Sequence, residues 1–287
     1  MIAPGDPTKE EARRSRLMIG TGFAGFCVVC PLLYLVGGVP LLDAILLGVL
    51  LVLMPAFAVA QAAMLHRLPF DRLAAYWSSI VTLWVIGATS WLVGTRSGGP
   101  EAIGLVPLPL PALLAWTLGL AVAGLAVMLV FRLLGRRLVV RETRMLARLL
   151  PRTRTERRVF VLLSGAAGLG EEVAYRGYVI PMLAVATGVP AAVVLSSLVF
   201  GLLHAYQGRI GMVRTALMGF VLAGGYLASG SLLPVVLAHT VIDLVGGLAI
   251  AEWLVGDRPA PGRAAEKPRP EPRDSKSLAE TTDADDE

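Results

Sequence analysis

Between Arg16 and His66 the chain carries one charged side chain, Asp43. About 20 apolar residues suffice to cross the hydrocarbon of a bilayer, and a run this long cannot be kept in water as an exposed helix. Gly37, Gly38 and Pro40 interrupt it, so it reads as two helices, 17–37 and 41–65. Charge-poor stretches predict further spans over 73–95, 111–134, 158–182, 189–206, 211–229 and 232–254. The fold class that follows is all-α, a polytopic membrane bundle of about eight transmembrane helices. Composition agrees: 55% of residues are hydrophobic and 16% charged, against about 25% charged in a soluble domain. That excludes a disordered chain, a collagen-like chain and an ordinary soluble enzyme. Cys27 and Cys30 share one apolar run and read as buried small hydrophobes.

Charge in the loops orients the bundle. One alternate set of loops holds Lys9, Arg13, Arg14 and Arg16, then Arg67 and Arg72, then nine arginines between Arg136 and Arg158, then Arg209 and Arg214. The other set holds only Arg96. Positive loops stay cytoplasmic, so both termini are expected in the cytoplasm and the chain in the cytoplasmic membrane. The basic excess then reflects an anionic leaflet; the expected partners are the lipid bilayer and no nucleic acid.

Five regions follow: a cytoplasmic N-terminal segment (1–16), four helices (17–134), a basic loop (135–157), four more helices (158–255) and a tail (256–287). Residues 1–37 read as a retained first helix, because the apolar run exceeds a signal-peptide core. In the basic loop Met145, Leu146, Leu149 and Leu150 fall on one helical side among arginines, the pattern of a helix lying on the membrane surface; a plain basic loop is the other reading. The tail is rich in proline and charge and is expected to be disordered. No inverted repeat of the transporter kind is evident.

An ionisable group inside a span costs about 2.5–3.5 kcal/mol on insertion scales and therefore faces the bundle interior. Asp43 reads as an interfacial helix-end residue. Setting aside also Arg132, Arg158, Arg214 and Glu252, which fall within a few residues of a span end, that leaves Glu171, Glu172, Arg176, His204, His239 and Asp243, all from the second half of the chain. Glu172 and Arg176 are four residues apart and can pair, whereas Glu171 is rotated by about 100° and stays available. His239 and Asp243 repeat the four-residue spacing, as do Phe200 and His204. Three helices that each project polar groups imply a common interior cavity. His66 sits at a loop edge and reads as uninvolved. Gly165, Gly168, Gly170 and Gly177 should let neighbours approach the fifth helix, and Gly201, Gly224, Gly225 and Gly230 could do likewise.

A desolvated carboxylate can serve as a general base, and a histidine can orient water or donate to a developing oxyanion. Those are the parts needed to hydrolyse an amide without a cofactor. Glu171, His204 and His239 could equally hold Zn²⁺ with a fourth position left for water, and the residue types alone do not choose. There is no His-Glu-x-x-His pair and no Gly-x-Ser-x-Gly element.

Glu171-Glu172-Val-Ala-Tyr-Arg176, Phe200-Gly-Leu-Leu-His204 and His239-Thr-Val-Ile-Asp243 occur in that order. In this the chain resembles the CPBP family of intramembrane proteases, which includes the type II CAAX prenyl endopeptidases and bacteriocin-processing or immunity-related membrane proteins. The resemblance covers about residues 158–250. It implies an intramembrane endopeptidase (a glutamate-type or metallo-endopeptidase) acting on a membrane-associated or hydrophobic peptide or protein, of which a CAAX-type substrate is one example. It further implies that Glu171 is the general base with His204 assisting, and that His239 and Asp243 orient the carbonyl. Glu172, Arg176 and Phe200 would be structural supports. Family members carry Asn or Asp at the last position. An ionised Asp243 cannot donate a hydrogen bond, so here it would orient His239, bind a metal or be protonated by burial. The metal-free mechanism is favoured, with Zn²⁺ kept open. Two other classes stay in view: a non-enzymatic immunity, regulatory or chaperone-like membrane protein, and a proton-coupled transporter, against which the lack of ionisable residues in the first half argues.

Overall fold

The computed structural model describes residues 7–62, 71–137 and 148–250, and among these it is helical throughout, without strands. Eight helical rods follow one another: α1 (Pro7–Leu35), α2 (Leu41–Ala62), α3 (Arg72–Thr95), α4 (Leu110–Arg137), α5 (Arg154–Glu172, prolonged through Val173–Val179 to Ile180–Thr187), α6 (Val189–Leu203), α7 (Gly208–Ser229) and α8 (Leu233–Leu244, prolonged through Val245–Ala249). Five helices are long and apolar enough to cross a membrane, among them α2, α3 and α4. α6 and α8 are shorter apolar helices. α5 misses the apolar criterion because it carries the two glutamates and the arginine. Large apolar side chains are exposed on most rods, including Phe23, Leu35, Leu92, Leu118, Val122 and Leu162. In water such a surface would aggregate; in a bilayer it is the solvent-facing side. The molecule is a multi-pass membrane helical bundle.

The expected breaks are where backbone chemistry puts them. Gly38, Gly188 and Gly208 take positive φ in the connections after α1, α5 and before α7, and Gly230 closes α7 in the left-handed conformation. Asp71 caps α3 by accepting from the Ala74 N–H. Thr153 and Glu156 form a reciprocal capping box at the start of α5. Some bounds differ from expectation. α1 begins at Pro7, a turn or more before its charge-free part, since Lys9 to Arg16 are good helix formers. α5 runs well past 158–182 in both directions because its cap lies at Thr153. α6 stops at Leu203, so His204 is a helix cap followed by a short 3₁₀ turn, Ala205–Gln207, rather than a residue within the helix. Residues 63–70, 138–147 and 251–287, which hold His66, most of the basic loop and the tail, lie outside the described residues.

Cross-contacts support the alternation of loops. Arg72, at the start of α3, donates to Glu156 at the start of α5 (3.2 Å). At the other end Arg96, after α3, grips Asp43 in the first turn of α2 with both guanidinium nitrogens. Ser231 and Leu232 bond the carbonyls of Val106 and Gly104, joining the connection before α8 to the one before α4. Asp43 lies at a helix end as expected and is fully buried there, and the Tyr178 hydroxyl donates to it as well (3.0 Å). Cys27 is exposed, and only Cys30 is buried as expected.

The largest core lies where α1, α2, α5 and α6 meet, around Leu47, Leu50, Tyr175, Tyr178 and Phe200. Two widened, π-helical stretches face each other there, Val49–Leu53 in α2 and Val173–Val179 in α5. A π turn frees a carbonyl from the regular ladder. The Leu50 carbonyl accepts from Tyr175 Oη (3.1 Å), and the Tyr175 carbonyl accepts from Ser196 Oγ (3.2 Å).

Candidate active site

Glycines decide how closely α5 is surrounded. A Cβ on Gly170 would sit 2.5 Å from the Leu83 carbonyl of α3. A Cβ on Gly168 would meet Thr240 and the Val236 carbonyl of α8. Gly201 plays the same part between α6 and α7, and Gly177 lies against the Ile103 carbonyl. Gly165 and Gly224 face open space, which corrects their expected role, and a Cβ on Gly225 would lie 2.4 Å from the Leu120 side chain of α4. Gly87, which sequence reading did not single out, lies directly against Gly170. With no side chains in the way at Gly168, α5 and α8 approach closely enough for His239 to reach Glu172.

The site is built from that contact. Arg176 Nη1 donates to Glu172 Oε1 at 2.6 Å, the expected four-residue pair, and both side chains are buried. His239 Nδ1 bonds the same Oε1 at 2.6 Å. A carboxylate can only accept, so Nδ1 carries the proton and the ring's Nε2 is turned to the other side. There Glu171 Oε2 and Asp243 Oδ2 each lie 3.8 Å from Nε2. These are charge contacts rather than hydrogen bonds. Glu172 Oε2 is buried without a hydrogen-bond partner, so one oxygen of this carboxylate does all of its bonding.

Phe200 packs the site together. The Arg176 guanidinium lies 4.3 Å from its ring centroid, and the rings of His204 and His239 lie 5.0 and 6.1 Å away. Arg176 also reaches the Gly219 carbonyl of α7 (3.3 Å). His204 Nδ1 bonds the Phe200 carbonyl at 2.8 Å; the carbonyl can only accept, so His204 Nε2 carries the lone pair. The structure thus gathers Glu171, Glu172, Arg176, Phe200, His204, His239 and Asp243 into one cluster.

Two features were not legible in the sequence. One is the Glu172–His239 bond, because a 67-residue separation carries no spacing signal. The other is the trio Tyr206, Gln207 and Arg214 beside His204, whose residue types are ordinary at a helix end. Among the described residues no group of three or more His, Cys, Asp or Glu side chains is arranged to hold a metal ion. No step below passes through a metal.

Residues 154–245 match the family model described as type II CAAX prenyl endopeptidase Rce1-like. This stretch of the chain is similar to that family. It is about a third of the sequence and contains every member of the cluster. The match falls on the stretch that carries the three motifs, in agreement with the family that their resemblance implied. No curated protein and no solved structure matches it significantly.

Proposed function

We propose that this domain hydrolyses a peptide bond of a membrane-associated or hydrophobic substrate by activating water with Glu171 and His204. The observation that carries the reading is the division of labour around His239. Glu172 holds one ring nitrogen, and Glu171 and Asp243 flank the other. One carboxylate of the adjacent pair is consumed by structure, and its neighbour is left partly exposed.

In this mechanism Glu171 takes a proton from water. His204 Nε2, the lone-pair nitrogen, accepts the second water hydrogen as a hydrogen bond and aims the oxygen. The oxygen attacks the scissile carbonyl carbon, and the C=O electron pair moves to the carbonyl oxygen. His239, donating from Nε2 in its charged form, stabilises that oxyanion. Asp243 holds the ring from the same side. When the tetrahedral centre collapses the C–N bond breaks, and the amine departs with the proton held by Glu171. Arg176 and Phe200 keep Glu172, and through it His239, in register. No cofactor is required by these steps. The substrate enters laterally from the bilayer, and a CAAX-type peptide belongs to the class the family description names. The excess of basic residues in alternate loops supports cytoplasmic termini and an inner-membrane location.

The test is cleavage of a quenched peptide library, with and without lipid attachment, by detergent-purified protein. Wild type, Glu171→Ala and His239→Ala are compared, each with and without a strong chelator. Cleavage by wild type that both substitutions abolish and the chelator spares is the expected result. Cleavage that the chelator removes would replace the water-activating glutamate by a metal. Retained cleavage in Glu171→Ala would overturn the assignment of the base.

A further inference from the structure

α4 and α7 contain five arginines and no aspartate or glutamate. Arg132, Arg136 and Arg137 fall in the last two turns of α4, and Arg209 and Arg214 in the first two turns of α7. The two helices pack against each other. Their charge therefore collects at one end of the bundle, the end that carries the basic loops. Basic segments at a membrane face attract anionic headgroups.

A groove of about 230 Å³ opens between the same two helix ends. Phe131, Leu134 and Gly135 of α4 form one wall, and Arg209, Ile210 and Val213 of α7 the other. Among the described residues that line it, only Arg209 is charged. Leu134 and Val213 are exposed, which in a membrane bundle means that the groove lies open to hydrocarbon. Arg209 is exposed too, and it has no hydrogen-bond or ion-pair partner among the described residues. The residue before α7, Gln207, makes no side-chain capping bond, so the first-turn N–H groups beside Arg209 are left uncapped. A guanidinium and an uncapped helix start together suit a phosphate. The apolar walls suit a hydrocarbon chain. A phospholipid joins the two in one molecule. A free anion would leave the walls unused, and a zwitterionic lipid would bring its own cation among the arginines.

We propose that the groove between α4 and α7 binds an anionic phospholipid, with an acyl chain against Phe131, Leu134, Ile210 and Val213 and the phosphate at Arg209 and the start of α7. The site is distinct from the polar cluster around His239, and it stands whether or not the peptidase reading does. A lipid seated there ties the start of α7 to the end of α4. It does so five residues after His204.

The test uses the full chain, stripped of lipid in detergent. It is titrated with dioleoyl phosphatidylglycerol and with dioleoyl phosphatidylcholine, and the first bound lipid is followed by native mass spectrometry. Wild type should hold phosphatidylglycerol roughly 10-fold more tightly than phosphatidylcholine, and Arg209→Gln should weaken phosphatidylglycerol about 5-fold, as for one basic side chain at an anionic lipid surface. The same substitution should leave phosphatidylcholine unchanged. Val213→Trp fills the groove and should weaken both lipids. Arg13→Gln, which replaces an exposed arginine of α1, should weaken neither. Equal affinity of wild type for the two lipids overturns the proposal, as does wild-type binding of phosphatidylglycerol by Arg209→Gln. An equal loss in Arg13→Gln would reduce the effect to diffuse attraction by a basic surface. Displacement of the lipid by millimolar inorganic phosphate would make the groove a free-anion site, and either result also overturns it.

Discussion

Two of the carboxylate–arginine pairs that the bundle buries, Asp43–Arg96 and Glu172–Arg176, are built differently. Asp43 is satisfied on all sides: Arg96 engages both of its oxygens and Tyr178 adds a third bond. Arg96 keeps about a third of its side chain exposed. Glu172 and Arg176 are both sealed, yet Oε1 takes two partners while Oε2 has none. The first pair is a closed tie between α2, α3 and α5. The second is left incomplete in order to hold a histidine from another helix. A buried ion pair that only ties a fold together is saturated; one that serves a site shares an oxygen with the group it positions.

The comparison can be broken at its functional end first. Glu171→Gln removes the base without touching either pair, and should reduce kcat roughly 10²–10⁴-fold with the melting temperature unchanged; turnover and thermal unfolding in detergent check this. Glu172→Gln should lose both stability and turnover, because it leaves Arg176 buried without its counter-charge. Breaking one side of such a pair costs about 3–5 kcal/mol. Asp43→Asn should lower the melting temperature less, since Arg96 can turn to solvent, and should keep kcat within a few-fold of wild type. A collapse of turnover in Asp43→Asn with the fold intact would erase the distinction between the two pairs.

Packing gives the next effect. Gly170→Ala drives a methyl into the Leu83 carbonyl and should cost about 1–3 kcal/mol with loss of activity. Gly165→Ala, five residues earlier on the same helix, meets nothing and should stabilise by up to about 1 kcal/mol through helix propensity. Parallel denaturation of the two variants checks this.

The smallest effect is at the mouth of α5. Burial by itself pushes the Glu156 carboxyl up, but the N–H groups of Arg152 and Thr153 and the Arg72 guanidinium hold it below the usual carboxylate range. A depressed folded-state value means that this group's stabilisation is complete above its unfolded value and is lost as pH falls through the folded one. Stability measured down the acid limb should therefore fall less steeply in Glu156→Gln than in wild type.

How much of this was legible beforehand varies by residue. The eight rods, the break at Gly37-Gly38 and the Glu172–Arg176 pair follow from hydropathy, glycine placement and four-residue spacing. The burial of Asp43 was not legible because its partners, Arg96 and Tyr178, lie 53 and 135 residues away. His204 was placed inside a helix because hydropathy does not register the turn that frees its ring at the end of α6. Gly165 and Gly170 look alike in sequence and differ only in what α3 and α8 bring against them.

By itself the sequence determined a membrane-spanning all-helical chain and the identity of the groups too costly to leave in lipid. Those properties are local: hydropathy sums along a span, and a charge in hydrocarbon is expensive wherever it sits. Only the tertiary structure decided which oxygen of Glu172 meets His239, that Asp43 is spent on Arg96, and that Tyr206 stands beside His204. Those are contacts between helices distant in the chain, and they depend on how closely backbones approach at glycines.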